Sequence, residues 1–373
     1  MATANIAYKY RLYPSSEQCV LFAKTFGCCR KVYNLMLADR IAYYKEHGKS
    51  KTFTPAMYKN DYPFLREVDS LALANEQLHL QTAFQNFFEK PKIGFPKFKA
   101  KHRTRRSYTT NMVNDNIRLY DNAIRLPKVE VVKAKIHRRA PENYKLKAVT
   151  VSQEKDGTYY ASVLYEYEVI DLPDNDLLKD LTFTHIGLDY KSDGLYVDSN
   201  GVCCDMPHFY RDAQKKLAKA QRRLSKMTKG SKNYEKQRRK VAKISRHVAN
   251  QRKDFLHKRS TEITNLYDLV SVETLNMQAM SRTLKLGKAT HDNGFGMFCK
   301  MLAYKQQRKG HFFVKVGKTF PSSQLCQCGY KNPATKDLNV RTITCPVCGK
   351  TYDRDHNAAI NIDKEGYRLL TSD

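Results

Sequence analysis

Acidic residues in the second half of the chain occupy positions where several carboxylates could meet. Asp189 and Glu273 each end a short apolar segment, and Asp355 opens a predicted helix in the segment DRDHNAAINI, with Asp353 as the alternative. A single acid at a strand end or a helix start usually serves a turn or a cap. Carboxylate oxygens are also the ligands that hydrated Mg²⁺ prefers, so the acids taken together indicate a cation site.

The order of the surrounding elements strengthens this interpretation. Alternating segments predict a three-stranded meander, and a long polar helical segment, a strand and a helix follow it; these lie at residues 183–204, 207–265, 269–272 and from about 357. This order is similar to that of an RNase H-like nuclease core, in which three carboxylates hold two divalent metal ions about 3.5–4 Å apart. We therefore predict a two-metal Mg²⁺ site at Asp189, Glu273 and Asp355.

Four of the ten cysteines form two close pairs, Cys326 with Cys328 and Cys345 with Cys348. Two thiol pairs separated by one loop are typical of a closed, tetrahedral zinc site of the structural type. Gly329 and Gly349 follow the pairs and suit tight turns. We predict one structural Zn²⁺ here, and we expect the other six cysteines to be buried small hydrophobic residues, namely Cys19, Cys28, Cys29, Cys203, Cys204 and Cys299.

The charge of the chain indicates a polyanionic partner. The 373 residues carry 66 Lys and Arg against 37 Asp and Glu, a net charge of +29. Residues 207–265 alone hold 19 basic and 4 acidic side chains, and heptad-spaced apolar residues with a break at Gly230 predict a helical hairpin with a basic outer face. The candidate nucleic-acid contacts are Lys97, Lys99, Lys101, Arg103, Arg105, Arg106, Arg222, Arg223, Arg238, Arg239 and Lys240. Phe95 and Phe98 interleave with the first group and could stack on bases, although core packing is the plainer interpretation.

The first half of the chain is predicted to join a helical region to an antiparallel sheet. A strand at residues 6–12 is followed by a capping box at Ser15 and Gln18 and by a helix to about residue 47. A second helix begins at Asp69 or the next residue, with its apolar side including Phe88. Residues 107–170 alternate as an antiparallel sheet or small barrel with a hairpin at residues 156–157, and the first strand can return to it.

Composition excludes several classes of protein. With 41% hydrophobic residues the chain can bury cores, so a disordered protein is excluded. No apolar run approaches the roughly 18 residues that span a bilayer, and the start lacks the apolar stretch of a signal peptide. We therefore expect a soluble protein of the cytoplasm without disulfides and with no membrane partner.

Motifs along nearly the whole chain resemble those of TnpB-type proteins, the transposon-encoded group ancestral to the miniature type V CRISPR effectors. The resemblance is carried by YKYRLYPSSEQ, FGCCRKVYN, GFPKFKAK, IGLDYKSDGLYVDSNG, LAKAQRRLSK through HVANQRKDFLHKRS, VSVETLNMQAM, SSQLCQCGYKNP and, most specifically, CPVCGKTYDRDHNAAIN. In this family the first cysteine pair usually has two residues between the thiols, whereas only Gln327 separates Cys326 and Cys328 here.

The resemblance implies a multidomain α/β plus α+β fold with a RuvC nuclease domain, in which Asp189, Glu273 and Asp355 are the three carboxylates. The implied domains are a wedge β-barrel at 1–14 and 107–176, a helical recognition domain at 15–106, the RuvC domain at 177–319 and 353–373 with the basic hairpin at 207–265, and a zinc-binding lobe for target nucleic acid at 320–352. It also implies a guide RNA and cleavage of double-stranded DNA beside a short duplex motif; one or two copies of the chain per RNA are both compatible with it.

Two other functions use the same residues. An RNA-guided repressor would bind DNA without cutting it, and a metal-dependent transposase would join strands with the same core. The complete set of three acids argues against the first, and the lack of a separate sequence-reading domain argues against the second.

Overall fold

Two compact units divide the chain, one comprising Thr3–Glu168 and the other beginning at Val169. The computed structural model describes residues 3–90, 92–169, 183–276, 294–332, 335 and 340–372. The segment DLPDND at residues 171–176, whose Pro and Asp residues predict a link between the two halves of the chain, lies outside the described residues.

The first strand of the chain becomes an inner strand of the N-terminal sheet. The seven antiparallel strands are β1 (Thr3–Tyr13), β2 (Arg106–Asn111), β3 (Arg118–Leu119), β4 (Ala123–Leu126), β5 (Glu130–Lys135), β6 (Lys145–Gln153) and β7 (Tyr159–Glu168), in the order β2-β6-β7-β1-β5-β4-β3. Strand β1 buries every second side chain, Ile6 through Leu12, and pairs with β7 and β5. The order of these strands has two ends, so the hydrogen bonding described here forms an open sheet.

Two long helices cover this sheet, α1 (Ser16–His47) and α2 (Ser70–Glu89). The predicted capping box at Ser15 and Gln18 is present, and Asp69 caps α2 by accepting a hydrogen bond from the Leu71 amide at 2.9 Å. Phe22 of α1 stacks on Tyr159 with ring centroids 5.4 Å apart. The alternation of the strands and the apolar faces of the helices thus close one core.

Three aromatic residues at the end of α2 and just after it are exposed instead of buried in that core. Phe88, predicted on the apolar side of the helix, is 74% exposed, and Phe95 and Phe98 are 45% and 57% exposed. The core-packing interpretation of Phe95 and Phe98 is therefore wrong. Phe95 packs edge-on against Phe87 and against Phe84, a buried residue of the core, while its own side chain stays 45% exposed at the core's edge.

The C-terminal unit contains a five-stranded mixed sheet. Its strands are β8 (His185–Tyr190), β9 (Tyr196–Asp198), β10 (Cys203–Cys204), β11 (Leu269–Glu273) and β12 (Phe312–Val316), in the order β10-β9-β8-β11-β12. Strands β8 to β10 form the predicted antiparallel meander, and β11 is parallel to both β8 and β12. A separate hairpin of β13 (Thr342–Thr344) and β14 (Thr351–Asp353) lies near the C-terminus.

The described residues of this unit form four helices, α3 (Phe209–Ser225), α4 (Lys232–Leu266), α5 (Phe295–Lys309) and α6 (Arg354–Thr371). The predicted hairpin of α3 and α4 is confirmed, with Ser231 capping α4 and Gln237 donating to the Ala220 carbonyl at 2.8 Å. The C-terminal helix begins earlier and runs longer than the sequence suggested, since Asp353 caps it by accepting from the His356 amide at 2.8 Å.

Helix α6 lies directly on the parallel strands because two glycines remove the side chains that would separate them. A Cβ at Gly187 of β8 would overlap the Ala359 carbonyl oxygen, and a Cβ at Gly366 would overlap the Ser271 side chain of β11. The fully buried Ala359 completes this close contact. The N-terminal end of α6 is thereby fixed against the sheet.

We expect Gly366→Ala to lower the free energy of unfolding by about 1–3 kcal/mol, because a methyl group there overpacks a filled interface. Gly296→Ala is the matched control: Gly296 also lies in a helix, and a Cβ there would meet nothing within 4 Å. Chemical denaturation of both variants checks this, and equal stabilities would contradict the close packing of α6.

The six cysteines outside the two pairs differ in burial. Cys28, Cys29, Cys204 and Cys299 are buried, Cys19 is partly buried and Cys203 is exposed, so the expectation of burial is wrong for Cys203, which lies in a two-residue strand at the sheet edge. All ten cysteines lie within the described residues and none forms a disulfide. Among the described helices, none combines the length and apolar character needed to cross a membrane.

Candidate active site and thiol cluster

The carboxylates of Asp189 and Glu273 lie side by side at the carboxyl ends of two parallel strands. The register pairs Leu188 with Val272, and each acid is the next residue along its strand. Their side chains hydrogen-bond to each other, and the Tyr190 backbone N–H donates to Glu273. Parallel strands place their carboxyl ends at one edge of a sheet, where open α/β sheets usually bind ligands.

Asp355 reaches the same edge from the first turn of α6. Burial raises the pKa of Asp189 well above its ordinary value, and the charges of Glu273 and Asp355 raise it further. Burial also raises the pKa of Glu273. Without a cation, burial and then repulsion from the neighbouring acids therefore favour a proton on Asp189.

The structure separates the two aspartates of the DRD segment. Asp353 caps α6 and is exposed, whereas Asp355 is half-buried and its negative charge raises the pKa of Asp189. Asp355 accepts hydrogen bonds from Arg341 on one oxygen at 2.6 Å and from Arg354 on the other at 3.2 and 3.1 Å. The geometry thus favours Asp355 over Asp353 as the third acid.

These three acids suit divalent cations, which would share the Asp355 carboxylate with Arg341 and Arg354. They offer only oxygen donors, as Mg²⁺ prefers, and their mutual repulsion would be relieved by positive charge. A cavity of about 300 Å³ borders Glu273 and includes Lys318 and Phe320 in its wall. The cluster can therefore hold cations next to a space that admits a ligand.

The four paired cysteines converge on one point in the C-terminal unit. Their sulfur atoms all lie within 4.8 Å of one another, with Cys326 to Cys348 at 3.6 Å and Cys328 to Cys345 at 3.7 Å. Tetrahedral Zn–S bonds of about 2.3 Å would place sulfurs about 3.8 Å apart, so the cluster could hold Zn²⁺. The one-residue spacing of the first pair does not prevent this convergence.

Backbone turns hold the thiols in place. Gly329 and Gly349 have φ of 89° and 70°, and their amides donate to the Cys326 and Cys345 carbonyls, both at 2.9 Å. Backbone N–H donors from Cys348 and Val347 lower the pKa of Cys345 to about 6. A thiolate is the form that binds zinc, so these turns prepare Cys345 as a ligand.

The predicted nucleic-acid contacts differ in solvent exposure and in whether their side chains already contact other residues. Lys97, Lys101, Arg103, Arg105 and Arg106 are exposed, as are Arg222, Arg223, Arg239 and Lys240. Lys99, in contrast, is half-buried, pairs with the buried Glu76 and lies 4.0 Å from the Tyr33 ring centroid. Arg238 is partly buried and pairs with Glu235 at 2.8 Å. Structural contacts therefore already occupy Lys99 and Arg238. Two of the exposed side chains are engaged as well, Arg105 with Glu154 at 3.6 Å and Arg106 with Gln153 at 2.9 Å.

Sequence reasoning did not identify Arg341 or the residues that join the thiol cluster to α6. Arg341 lies 14 residues from Asp355, and its side chain is 60% exposed beside the acids. Gln327 donates to Asn357 and Asn361 of α6, each at 2.9 Å. The available signal was the motif itself, since both asparagines stand in DRDHNAAINI.

Three family models match the chain. They are described as "Probable transposase" over residues 162–284, "Helix-turn-helix domain" over residues 1–49 and "Cas12f1-like, TNB domain" over residues 295–362. Residues 3–49 form one strand and one long helix, so the second description does not correspond to a helix-turn-helix here.

Relatives and a solved structure match nearly the whole chain. A Streptomyces pristinaespiralis protein named "Putative RNA-guided DNA endonuclease" is 36% identical over 95% of this chain and 88% of its own length. An Escherichia coli K12 protein of the same description, InsQ, is 28% identical over 98% of this chain and 93% of its own. Cas12f1, solved with sgRNA and target DNA, has a TM-score of 0.60 at 13% identity and covers 96% of this chain and 98% of its own.

The fold, with its mixed helices and sheets, is therefore that of the Cas12f-like proteins. A mimivirus protein named "TnpB-like protein L79" is 31% identical over 37% of this chain and 27% of its own length. The chain belongs to the TnpB family of transposon-associated proteins.

Proposed function

We propose that the protein is an RNA-guided DNA endonuclease that cuts DNA phosphodiesters at sites specified by a guide RNA and a short adjacent duplex motif. The observation that supports it most is the convergence of Asp189, Glu273 and Asp355, from two parallel strands and a helix, in a chain of net charge +29. Acids gathered in so basic a protein suit cations that act on a polyanion. Full-length relatives bear the corresponding name.

In this proposal the three acids hold two Mg²⁺ ions. When bound, these ions supply a hydroxide nucleophile and stabilise the leaving 3′ oxygen. The protein contributes the fixed geometry: the sheet register holds Asp189 and Glu273 together, and α6 fixes Asp355. Arg341, exposed beside the acids, presents a positive charge that can contact a scissile phosphate.

The cavity next to Glu273 suits a single DNA strand. Lys318 can pair with a phosphate and Phe320 can contact a base or a sugar. The strand to be cut would then pass the carboxylates at the C-terminal edge of the sheet. We expect the cavity to accept one strand at a time, because it borders the sheet edge at which the acids lie.

The domain assignment follows from the same proposal. Residues 177–319 and 353–373 would form the RuvC nuclease domain and residues 320–352 the zinc lobe for target nucleic acid. Residues 1–14 with 107–176 would form the wedge domain, whose described strands make an open sheet, around a recognition domain at 15–106. The four thiols would hold one structural Zn²⁺. The protein would act on DNA in the cytoplasm of a prokaryotic cell.

Guide recognition would depend on backbone charge, with base pairing supplying the sequence specificity. The exposed basic side chains of α3 and α4, such as Arg222 and Arg239, suit phosphates of a heteroduplex. The exposed aromatic residues Phe88, Phe95 and Phe98 suit unstacked bases.

We expect Arg239→Gln and Lys240→Gln each to reduce the slope of log affinity against log salt by about one, because each removes one phosphate contact. Arg238→Gln is the matched control on the same turn, since Glu235 already neutralises this guanidinium. Filter binding of guide RNA at several salt concentrations measures the slopes. Equal changes in all three variants would contradict the assignment of the exposed face.

A plasmid assay tests the proposed function against its alternatives. The protein, purified with its co-purifying RNA, is mixed with Mg²⁺ and a plasmid that carries the sequence complementary to that RNA. Linear product requires both the RNA and the target. Binding without cutting would favour the repressor, and joined strands would favour the transposase.

A further inference from the structure

Gln327, the residue between Cys326 and Cys328, is held by helix α6 on both polar atoms of its side chain. Its Nε2 donates to the side-chain oxygens of Asn357 and Asn361, each at 2.9 Å. Its Oε1 accepts from the Lys364 Nζ at 2.6 Å. These three partners occupy one face of α6, spaced four and three residues apart.

The two asparagines also bind the backbone on which the first thiol pair stands. Asn357 Nδ2 donates to the Leu325 carbonyl at 2.6 Å, and Asn361 Nδ2 donates to the Leu325 and Ser322 carbonyls, both at 2.7 Å. Asn357 and Asn361 are only 2% and 7% exposed. Breaking one of these bonds would leave a buried polar group without a partner, which is costly. We therefore expect the hydrogen bonds of this network to form and break cooperatively.

The second thiol pair reaches the same helix from another direction. Arg341, directly before β13, accepts the Arg354 backbone N–H at 2.8 Å and donates to Asp355 at 2.6 Å. Strand β13 leads straight into Cys345. Both halves of the thiol cluster therefore contact the first two turns of α6, which carry Asp355.

We infer that Gln327 is a positioning residue for Asp355 and that it couples the thiol site to the carboxylate site. A metal ion at the four thiols fixes the backbone around Cys326, Gln327 transmits that order to α6, and α6 sets the position of Asp355. The affinity of the acids for divalent cations then depends on zinc occupancy, and by linkage zinc affinity depends equally on those cations. The inference rests on the proposed function for the identity of the two metal sites.

Mn²⁺ binding to the full-length, nucleic-acid-free protein tests this coupling without any activity readout. Electron paramagnetic resonance counts free Mn²⁺ during a titration of zinc-loaded and zinc-depleted protein, and the same titration of Asp189→Asn is subtracted as background. We expect zinc depletion to weaken Mn²⁺ binding of the native protein about five- to tenfold. We expect zinc-loaded Gln327→Leu to bind Mn²⁺ as weakly as the zinc-depleted native protein does. Zinc depletion of this variant should change its Mn²⁺ affinity less than twofold.

Two further variants keep the result interpretable. Lys364→Met removes a partner of Gln327 without touching the segment between the cysteines, and we expect it to reduce the zinc effect while zinc content stays at one ion per chain. If Gln327→Leu purifies without zinc, the Lys364→Met variant alone tests the coupling. Gln251→Leu, an exposed glutamine on α4, should behave as the native protein does.

The inference would be overturned if zinc depletion changed the Mn²⁺ affinity equally in the native protein, Gln327→Leu and Lys364→Met. It would also be overturned if zinc depletion left the Mn²⁺ affinity of the native protein unchanged. Failure of the proposed function looks different. A protein that never cuts DNA but shows the zinc effect would refute the endonuclease and leave the coupling standing.

Discussion

Asp189→Asn is expected to lower the rate of target-DNA cleavage at least about a thousandfold. The substitution keeps the shape of the side chain but removes one charge from the acids that would hold Mg²⁺, and metal stabilisation of a transition state is worth several kcal/mol, about 1.4 kcal/mol for each tenfold. Affinity for guide RNA should not change, since Asp189 is only partly exposed and its carboxyl group is engaged with Glu273, to which it donates a hydrogen bond. Single-turnover cleavage and RNA filter binding measure the two effects.

Asp193→Asn provides the control for this result. It makes the same chemical change four residues away, at an exposed acid in the turn after β8. Cleavage by Asp193→Asn should match the native rate. If Asp189→Asn retained cleavage, or if both variants lost it, the assignment of Asp189 as a metal-binding carboxylate would be wrong.

The second large effect concerns the thiol cluster. We expect native protein to contain one zinc ion per chain and Cys345→Ser to contain none, because Cys345 is the buried ligand whose pKa the turn lowers to about 6. Binding of structural zinc is worth about 10–16 kcal/mol in small zinc-finger peptides, so its loss should unfold the lobe around β13 and β14. Mass spectrometry of the metal content and hydrogen exchange over residues 340–353 measure both consequences.

Cys203→Ser is the matched control for the zinc experiment. Cys203 is an exposed cysteine outside the cluster, so its replacement should leave zinc content and exchange unchanged. Zinc retained by Cys345→Ser, or native protein that lacks zinc after purification in its presence, would count against a metal site at the four thiols.

Local sequence rules predicted elements of both units, including the two strands that carry candidate site residues. Ser15 with Gln18 defined the start of α1, and the apolar segments ending at Asp189 and Glu273 proved to be neighbouring parallel strands. These signals are short-range, since caps and strand periodicity depend on residues a few positions apart. The Cys₄ convergence also followed from spacing, because two thiol pairs with tight turns have few other uses.

The features that the sequence did not reveal depend on contacts between distant segments. The Gln327 side chain binds residues 30 and 34 positions further on, and Arg341 reaches Asp355 across 14 positions. Gly187 and Gly366 look like ordinary interruptions of a strand and a helix until α6 is placed on the sheet. Helix α6 begins at Arg354, a few residues before the predicted start at about residue 357, because the Asp353 side chain caps it.

Changing the guide portion of the RNA tests the proposed function most directly. The native protein is combined with an RNA whose guide segment has been rewritten to match a second sequence, and one plasmid carries both sequences beside the same duplex motif. We predict that cleavage moves to the second sequence, requires Mg²⁺ and disappears in Asp189→Asn. Cleavage that stays at the original sequence, or that occurs without RNA, would contradict an RNA-guided endonuclease.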